Sequence, residues 1–221
     1  MLKPVFGSAR VFARRFSTAP RDRLLAQALA FVPQHGWEGA VVETMRANGL
    51  SDQGVALFAK SDLVGFHYAQ QLAALRSIEP QAAPGYGRLA ELVCARLDMN
   101  AALGAARLRE AIALTLRDSS PLAPAARPAR WLAELADELW YLSGDRSTDT
   151  RWYARRGSLL GVYASLELFQ ARDTSRDFRD TRALAHKLVG ALSTTEYAED
   201  SVLEWLQFNA IAAFNVARTF R

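Results

Sequence analysis

Side chains able to do catalysis are few in this sequence and poorly spaced. The three histidines, His35, His67 and His186, stand far apart. No glutamate precedes any of them by three residues, so the Glu-x-x-His ligand pairs of di-iron bundles are missing. There is no His-Glu-x-x-His, no Walker loop and no Gly-x-Ser-x-Gly elbow. Gly85-x-Gly87-x-x-Ala90 imitates a dinucleotide fingerprint, but no strand precedes it, and it reads as a loop. Asp145-x-Ser147-x-Asp149 opens like a calcium loop. Thr150 and Arg156 then occupy the places that need Gly and Glu, so calcium is rejected and the two aspartates read as turn caps. Cys94, the single cysteine, excludes an intramolecular disulfide and suits buried packing. The expectation is a chain with no catalytic residue, metal or cofactor.

What remains suits binding. Leu139-Trp140 end one predicted helix, and Trp152-Tyr153 follow Asp149 at the start of the next, one tight turn away. Aromatic clusters of this kind either anchor a partner or fill the gap between two helices. Arg155 and Arg156 could meet an anionic head group or a partner, or simply be solvated. The helix they begin carries Leu159, Leu160, Tyr163, Ala164, Leu166 and Phe169, too apolar all round for a surface helix. Gly157 and Gly161, four apart, leave room beside it for a neighbouring helix or for an acyl or isoprenoid chain. In the last stretch, Glu204, Gln207, Asn215 and Arg218 form a narrow polar stripe, while Leu203, Trp205, Leu206 and Phe214 belong to a wide apolar face. Such a helix docks on the body, dimerises, or lies in a membrane interface with Trp205 at the boundary.

The elements that must position these residues are helices. Ala and Leu dominate, apolar residues recur at helical spacing, and period-two alternation is absent. The pattern predicts helices over 23–32, stopped near Pro33 and Gly36, over 37–47, ended by Asn48-Gly49, and over a short stretch to Phe58 capped by Ser51. A longer helix capped by Asp62 follows, then a loop at 78–87 and helices at 88–100, 102–117, 129–143, 149–171, 177–192 and 197–220. Pro121, Pro124 and Pro128 forbid a continuous helix across 118–128. No apolar run approaches the roughly 18 residues a membrane span needs.

Charge separates the start of the chain from the rest. Residues 1–20 carry Lys3, Arg10, Arg14 and Arg15 and no acid, the composition of a mitochondrial transit peptide, with a disordered basic tail as the alternative. The chain of 221 residues has a formal charge of +4, all of it contributed by that segment. The remainder is formally neutral and has no excess charge for gripping nucleic acid.

Two stretches resemble known families. The triplet of short helices from Leu24 to Leu72, with its Asn-Gly turn and Phe58-x-Lys60-x-x-Leu63-Val64, resembles the helix-turn-helix head of TetR-family regulators. The candidate recognition segment SDQGVALF has no Arg or Lys for phosphates or guanine edges, so the head reads as a degenerate, structural cap. The second stretch, 137–181, supplies Trp140, Ser143-Gly144-Asp145, Ser147-Thr148-Asp149, Trp152-Tyr153, Arg155-Arg156, Tyr163, Asp173, Ser175, Asp177-Phe178 and Asp180-Thr181. This run resembles the mitochondrial lipid-binding accessory proteins of coenzyme Q (ubiquinone) biosynthesis, and Phe31 to Trp37 matches the N-terminal side of that family.

The resemblance implies an all-α, TetR-like domain over 21–196, between the transit peptide 1–20 and an amphipathic helix 197–221. It implies a non-enzymatic protein, homodimeric and peripheral to the matrix side of the inner membrane. Such a protein binds an isoprenoid quinone or phospholipid and presents a quinone intermediate to the di-iron demethoxyubiquinone hydroxylase. The expected lipid-binding residues are Leu159, Leu160, Tyr163, Leu166 and Phe169, and the expected partner-binding residues are Leu139, Trp140, Asp149, Trp152, Tyr153 and Arg156. Membrane contact falls to Leu203, Trp205, Leu206 and Phe214, and no nucleic acid is expected. A ligand-responsive DNA-binding regulator is the alternative.

Overall fold

The first helix shows how distant residues settle a local problem. In the computed structural model, which describes residues 20–82, 84–117, 126–148 and 150–195, helix α1 runs Pro20–Ala47 and breaks at Gly36 (φ 74°, ψ 177°). Each side of the break leaves orphaned backbone groups. Arg107, some seventy residues on, donates to the Pro33 and Gln34 carbonyls at 3.3 and 3.2 Å, while its neighbour Glu110 accepts the Trp37 N–H at 2.9 Å. The Trp37 indole N–H completes the joint on the Arg107 carbonyl at 2.7 Å. Pro33 lies inside the helix, and the predicted stop comes three residues later, at the glycine.

Asn48-Gly49 ends α1 as expected, with Gly49 at φ 66° and the Leu50 N–H returning to the Met45 carbonyl at 2.9 Å. Ser51 caps the next element through the Gln53 N–H, but that element is a 3₁₀ helix of six residues, Asp52–Leu57, with no buried residue. Helix α2 spans Asp62–Leu75. Its N-cap position is Ser61, one residue earlier than the sequence suggested; Asp62 instead accepts the Ala59 N–H at 2.8 Å and pairs with Arg21 at 2.6 Å.

Helices α3 (Tyr86–Asp98), α4 (Gly104–Arg117), α5 (Ala126–Leu142), α6 (Thr150–Gln170) and α7 (Arg179–Thr195) follow, with 3₁₀ turns at Ala101–Leu103 and Arg176–Phe178. α5 starts ahead of the predicted boundary because Pro128 sits in its first turn, where its missing N–H costs nothing. All elements among the described residues are helical, in an all-α, TetR-like arrangement. None of these helices is long and apolar enough to cross a membrane. The proposed leader, Asp149 and the stretch 197–221 lie outside the described residues, apart from Pro20.

Two apolar clusters hold the fold. One joins α1, the start of α2 and α4 through Leu25, Val32, Trp37, Leu63, Val64 and Leu114. The larger joins α3, α5, α6 and α7 around Leu89, Leu97, Trp140, Leu159, Leu166 and Val189. Cys94 packs into the larger one, and burial pushes its thiol up to about 11.

Candidate functional site

The hairpin of α5 and α6 is where the sequence placed its binding residues, and it is built around one carboxylate. Gly144 (φ 102°) closes α5, and the Asp145 N–H returns to the Trp140 carbonyl at 3.0 Å. The chain then turns, with Asp145 accepting from the Ser147 N–H at 3.3 Å and its hydroxyl at 2.9 Å. Two guanidiniums of the next helix complete its shell: Arg155 at 2.7 Å and Arg156 at 2.9 Å. Burial works against the Asp145 anion, but the bonds from Arg156, Ser147 and Arg155 outweigh it and hold the carboxyl below the usual range. Arg156 also donates to Asp137 at 2.6 Å and so ties both helices together.

That clamp sets the aromatic residues. Leu139 and Trp140 are buried, so of the two roles open to Trp140 the structure gives the filling one. Its indole N–H donates to the Arg155 carbonyl at 2.9 Å, and Tyr86 meets its ring edge-on at 5.5 Å. Tyr153 lies outward and Trp152 is half-buried beside it. The Arg156 guanidinium stacks 4.3 Å from the Trp152 ring centre, and the Tyr153 ring meets Trp152 edge-on at 4.8 Å. Tyr153 is 74% exposed, an unusual state for so large a ring. The same hairpin shows a second exposed aromatic that the sequence reading missed. Tyr141 is 46% exposed under the Arg146 guanidinium, which stacks at 4.1 Å and donates to the Tyr141 carbonyl. A tyrosine and an arginine straddling a Gly-Asp turn were the available signal.

The expected lipid residues on α6 divide in the same way. Leu159, Tyr163 and Leu166 are buried in the larger cluster, Leu160 packs against it half-buried, and Phe169 is 40% exposed. Among the described residues, no group of histidine, cysteine or acidic side chains is placed to hold a metal ion.

The helix-turn-helix head has little to offer DNA. Its recognition segment is the six-residue 3₁₀ helix, short of the helix a major groove accepts. The cations around it are paired, Arg46 with Glu43 and Asp52, Lys60 with Glu38, and Arg21 with Asp62.

Comparison with known proteins bears on the whole chain. The COQ9 family model matches residues 125–196, which contain the hairpin. The fission yeast protein named "Ubiquinone biosynthesis protein coq9, mitochondrial" is 33% identical over 203 residues, covering 89% of this chain and 79% of that protein. The human and rat proteins of the same name are each 31% identical over 191 residues, 78% of this chain, and the chain spans only 58% and 59% of their lengths. With a relative so similar over most of both chains, the protein belongs to the COQ9 family.

Proposed function

We propose that this chain serves ubiquinone biosynthesis in the mitochondrion as a non-enzymatic lipid-binding protein. It shelters the polyprenyl tail of a quinone intermediate, whose exposure to water costs about 25 cal/mol per Å² of apolar surface. It presents the ring to the di-iron demethoxyubiquinone hydroxylase at the matrix face of the inner membrane, acting as a homodimer. Leu159, Leu160, Tyr163, Leu166 and Phe169 serve the tail. Trp152 and Tyr153 dock the hydroxylase together with Asp149 and Arg156, backed from within the fold by Leu139 and Trp140. Leu203, Trp205, Leu206 and Phe214 touch the bilayer.

What supports the reading is an aromatic pair, exposed Tyr153 against half-buried Trp152, on a rigid ionic base, in a chain whose relatives are named ubiquinone biosynthesis proteins. Exposed rings held in place lose little entropy on binding and act as anchors. The test is the double variant Trp152→Ala, Tyr153→Ala, co-expressed with the hydroxylase and followed by native mass spectrometry and lipid extraction. The expected result is loss of co-purification with fold and isoprenoid content unchanged. Undiminished co-purification would overturn the docking assignment, and a wild-type protein carrying no isoprenoid lipid would overturn the cargo.

A further inference from the structure

Tyr141 and Arg146 are the exposed part of the α5–α6 hairpin to which no role has fallen. Asp137 and Tyr141 stand four residues apart on α5, and Trp152 and Arg156 stand four apart on α6, so each pair shares one helix face. The Asp137–Arg156 bond of 2.6 Å joins the two faces across the hairpin. One turn nearer its tip come Tyr141 on α5 and Trp152 on α6, at about the same height. The result is one strip over both helices. Tyr141 lies under Arg146 on the α5 side, and Trp152 lies between Arg156 and Tyr153 on the α6 side.

Arg146 is held differently from the other two arginines. Its Nη1 donates to the Tyr141 carbonyl at 2.8 Å and to the Asp145 carbonyl at 2.9 Å, and its guanidinium lies 4.1 Å from the Tyr141 ring centre. Arg155 and Arg156 face the Asp145 carboxylate, and Arg156 faces Asp137 as well. Asp145 thus fixes both halves of the strip, one through its carboxylate and one through its carbonyl. Among the described residues no acidic side chain pairs with Arg146, which is exposed. Carbonyl bonds set its position without cancelling its charge. With Nη1 taken, the edge formed by Nε and Nη2 remains, two parallel N–H groups at the spacing of carboxylate oxygens. A side chain pinned in this way has lost its rotamer freedom before a partner arrives.

The make-up of the strip favours a protein over a lipid surface. Tyrosine, tryptophan and arginine are the residue types in which binding energy concentrates at protein interfaces. An anionic bilayer is drawn instead to clusters of uncompensated cations. Here one unneutralised guanidinium stands near exposed Asp137 and near Glu138, which already holds Arg76. A surface of such mixed charge suits a single carboxylate at a single place.

We propose that Tyr141 and Arg146 form a second anchor, on α5, for the partner that docks on Trp152 and Tyr153, and that this partner meets them with a carboxylate beside an apolar side chain. The proposal rests on the docking reading above and deepens it by naming the partner's chemistry. The carboxylate accepts from Arg146 Nε and Nη2, and the apolar side chain covers the exposed part of the Tyr141 ring. Anchors on two helices also fix how the partner is turned about the hairpin, which two adjacent rings on one helix do not.

The experiment measures the affinity of the full chain for the purified di-iron hydroxylase by biolayer interferometry, at low and at high salt. Arg146→Gln should weaken binding about tenfold, the worth of one charge-assisted contact, and should flatten the dependence on salt, which a mere change in turn geometry would leave alone. Tyr141→Ala should weaken it about as much. Arg146→Lys, which keeps the charge and loses the fork, should stay close to Arg146→Gln. The Arg146 variants decide the matter if Tyr141→Ala does not fold. Wild-type affinity in folded Arg146→Gln and Tyr141→Ala proteins, beside a weakened Trp152→Ala, Tyr153→Ala variant, overturns the second anchor and leaves the docking reading standing. Full affinity in Arg146→Lys overturns the bidentate carboxylate. Unchanged hydroxylase binding by Arg146→Gln, with loss of binding to phosphatidylglycerol vesicles, gives the fork to a lipid phosphate and overturns the protein assignment. Undiminished binding by the Trp152→Ala, Tyr153→Ala variant, or none by the wild-type chain, overturns the docking reading itself and the anchor with it.

Discussion

A carboxylate buried as deeply as Asp145, whose side chain is 1% exposed, stays ionised only because two guanidiniums and Ser147 face it. That arrangement has a pH signature. The folded carboxyl titrates below the usual carboxylate range, so the unfolded chain takes up the proton first on acidification. The stabilisation is complete above the unfolded value and is lost as pH falls through about 4 and below. Asp173 carries the same sign: burial opposes its charge, but bonds from Thr181 and Ser175 more than compensate. Asp145→Asn should remove about 3 kcal/mol at pH 7, since it strands Arg155 and Arg156, and should flatten the acid limb between about pH 5 and 3. Urea unfolding across that range checks it; a variant with the wild-type pH slope would show that the clamp is not the source. The sequence identified Asp145 as a turn residue and left Arg155 and Arg156 between solvent and partner. Their meeting depends on how the turn closes ten residues away, which spacing alone does not specify.

Two helix boundaries, at 48–49 and at 51, were legible from purely local signals. Asn48-Gly49 and Ser51 act through their own backbone and neighbours, and both do what their residue types dictate. The joint within α1 is different. Pro33 and Gly36 announced a break, but what makes it tolerable is Arg107 and Glu110 from α4, capping opposite sides of one kink. Gly36 has a conformation (φ 74°, ψ 177°) that only glycine adopts readily, and an added Cβ would stand 2.8 Å from Glu110 Oε1. Gly36→Ala therefore strains the backbone and pushes away the carboxylate that caps Trp37. The expected loss is about 2–3 kcal/mol, seen as a fall in Tm of roughly 5–10 °C. An unchanged Tm would mean that the kink relaxes without cost.

At the scale of the molecule, the all-helical class followed from periodicity. A buried polar layer, in which the Asn100 side chain bonds Gln71, Arg96, Glu167 and Gln170, was not legible at all. His67, Gln71, Arg96, Asn100, Tyr163 and Glu167 are scattered over a hundred residues, and each looks ordinary on its own helix. Only the packing of α2 against α3 and α6 assembles them. This organisation predicts an uneven distribution of stability. The 3₁₀ segment Asp52–Leu57 has no fully buried residue, leaves Leu57 81% exposed and touches the smaller apolar cluster only through half-buried Val55, so it can open at little cost to either cluster. Helix α6, by contrast, buries Leu159, Val162, Tyr163 and Leu166 and cannot open without dismantling the larger cluster. Native-state hydrogen exchange should therefore show amides of 52–57 opening with near-zero free energy, and those of 159–166 exchanging only on global unfolding. Helix α2 should fall between, because its fully buried apolar residues are only Leu63, Val64 and Leu75, and between them Phe66, Tyr68 and Leu72 pack half-buried beside polar His67 and Gln71. Protection of α2 equal to that of α6 would mean that the polar layer binds the two clusters into a single cooperative unit.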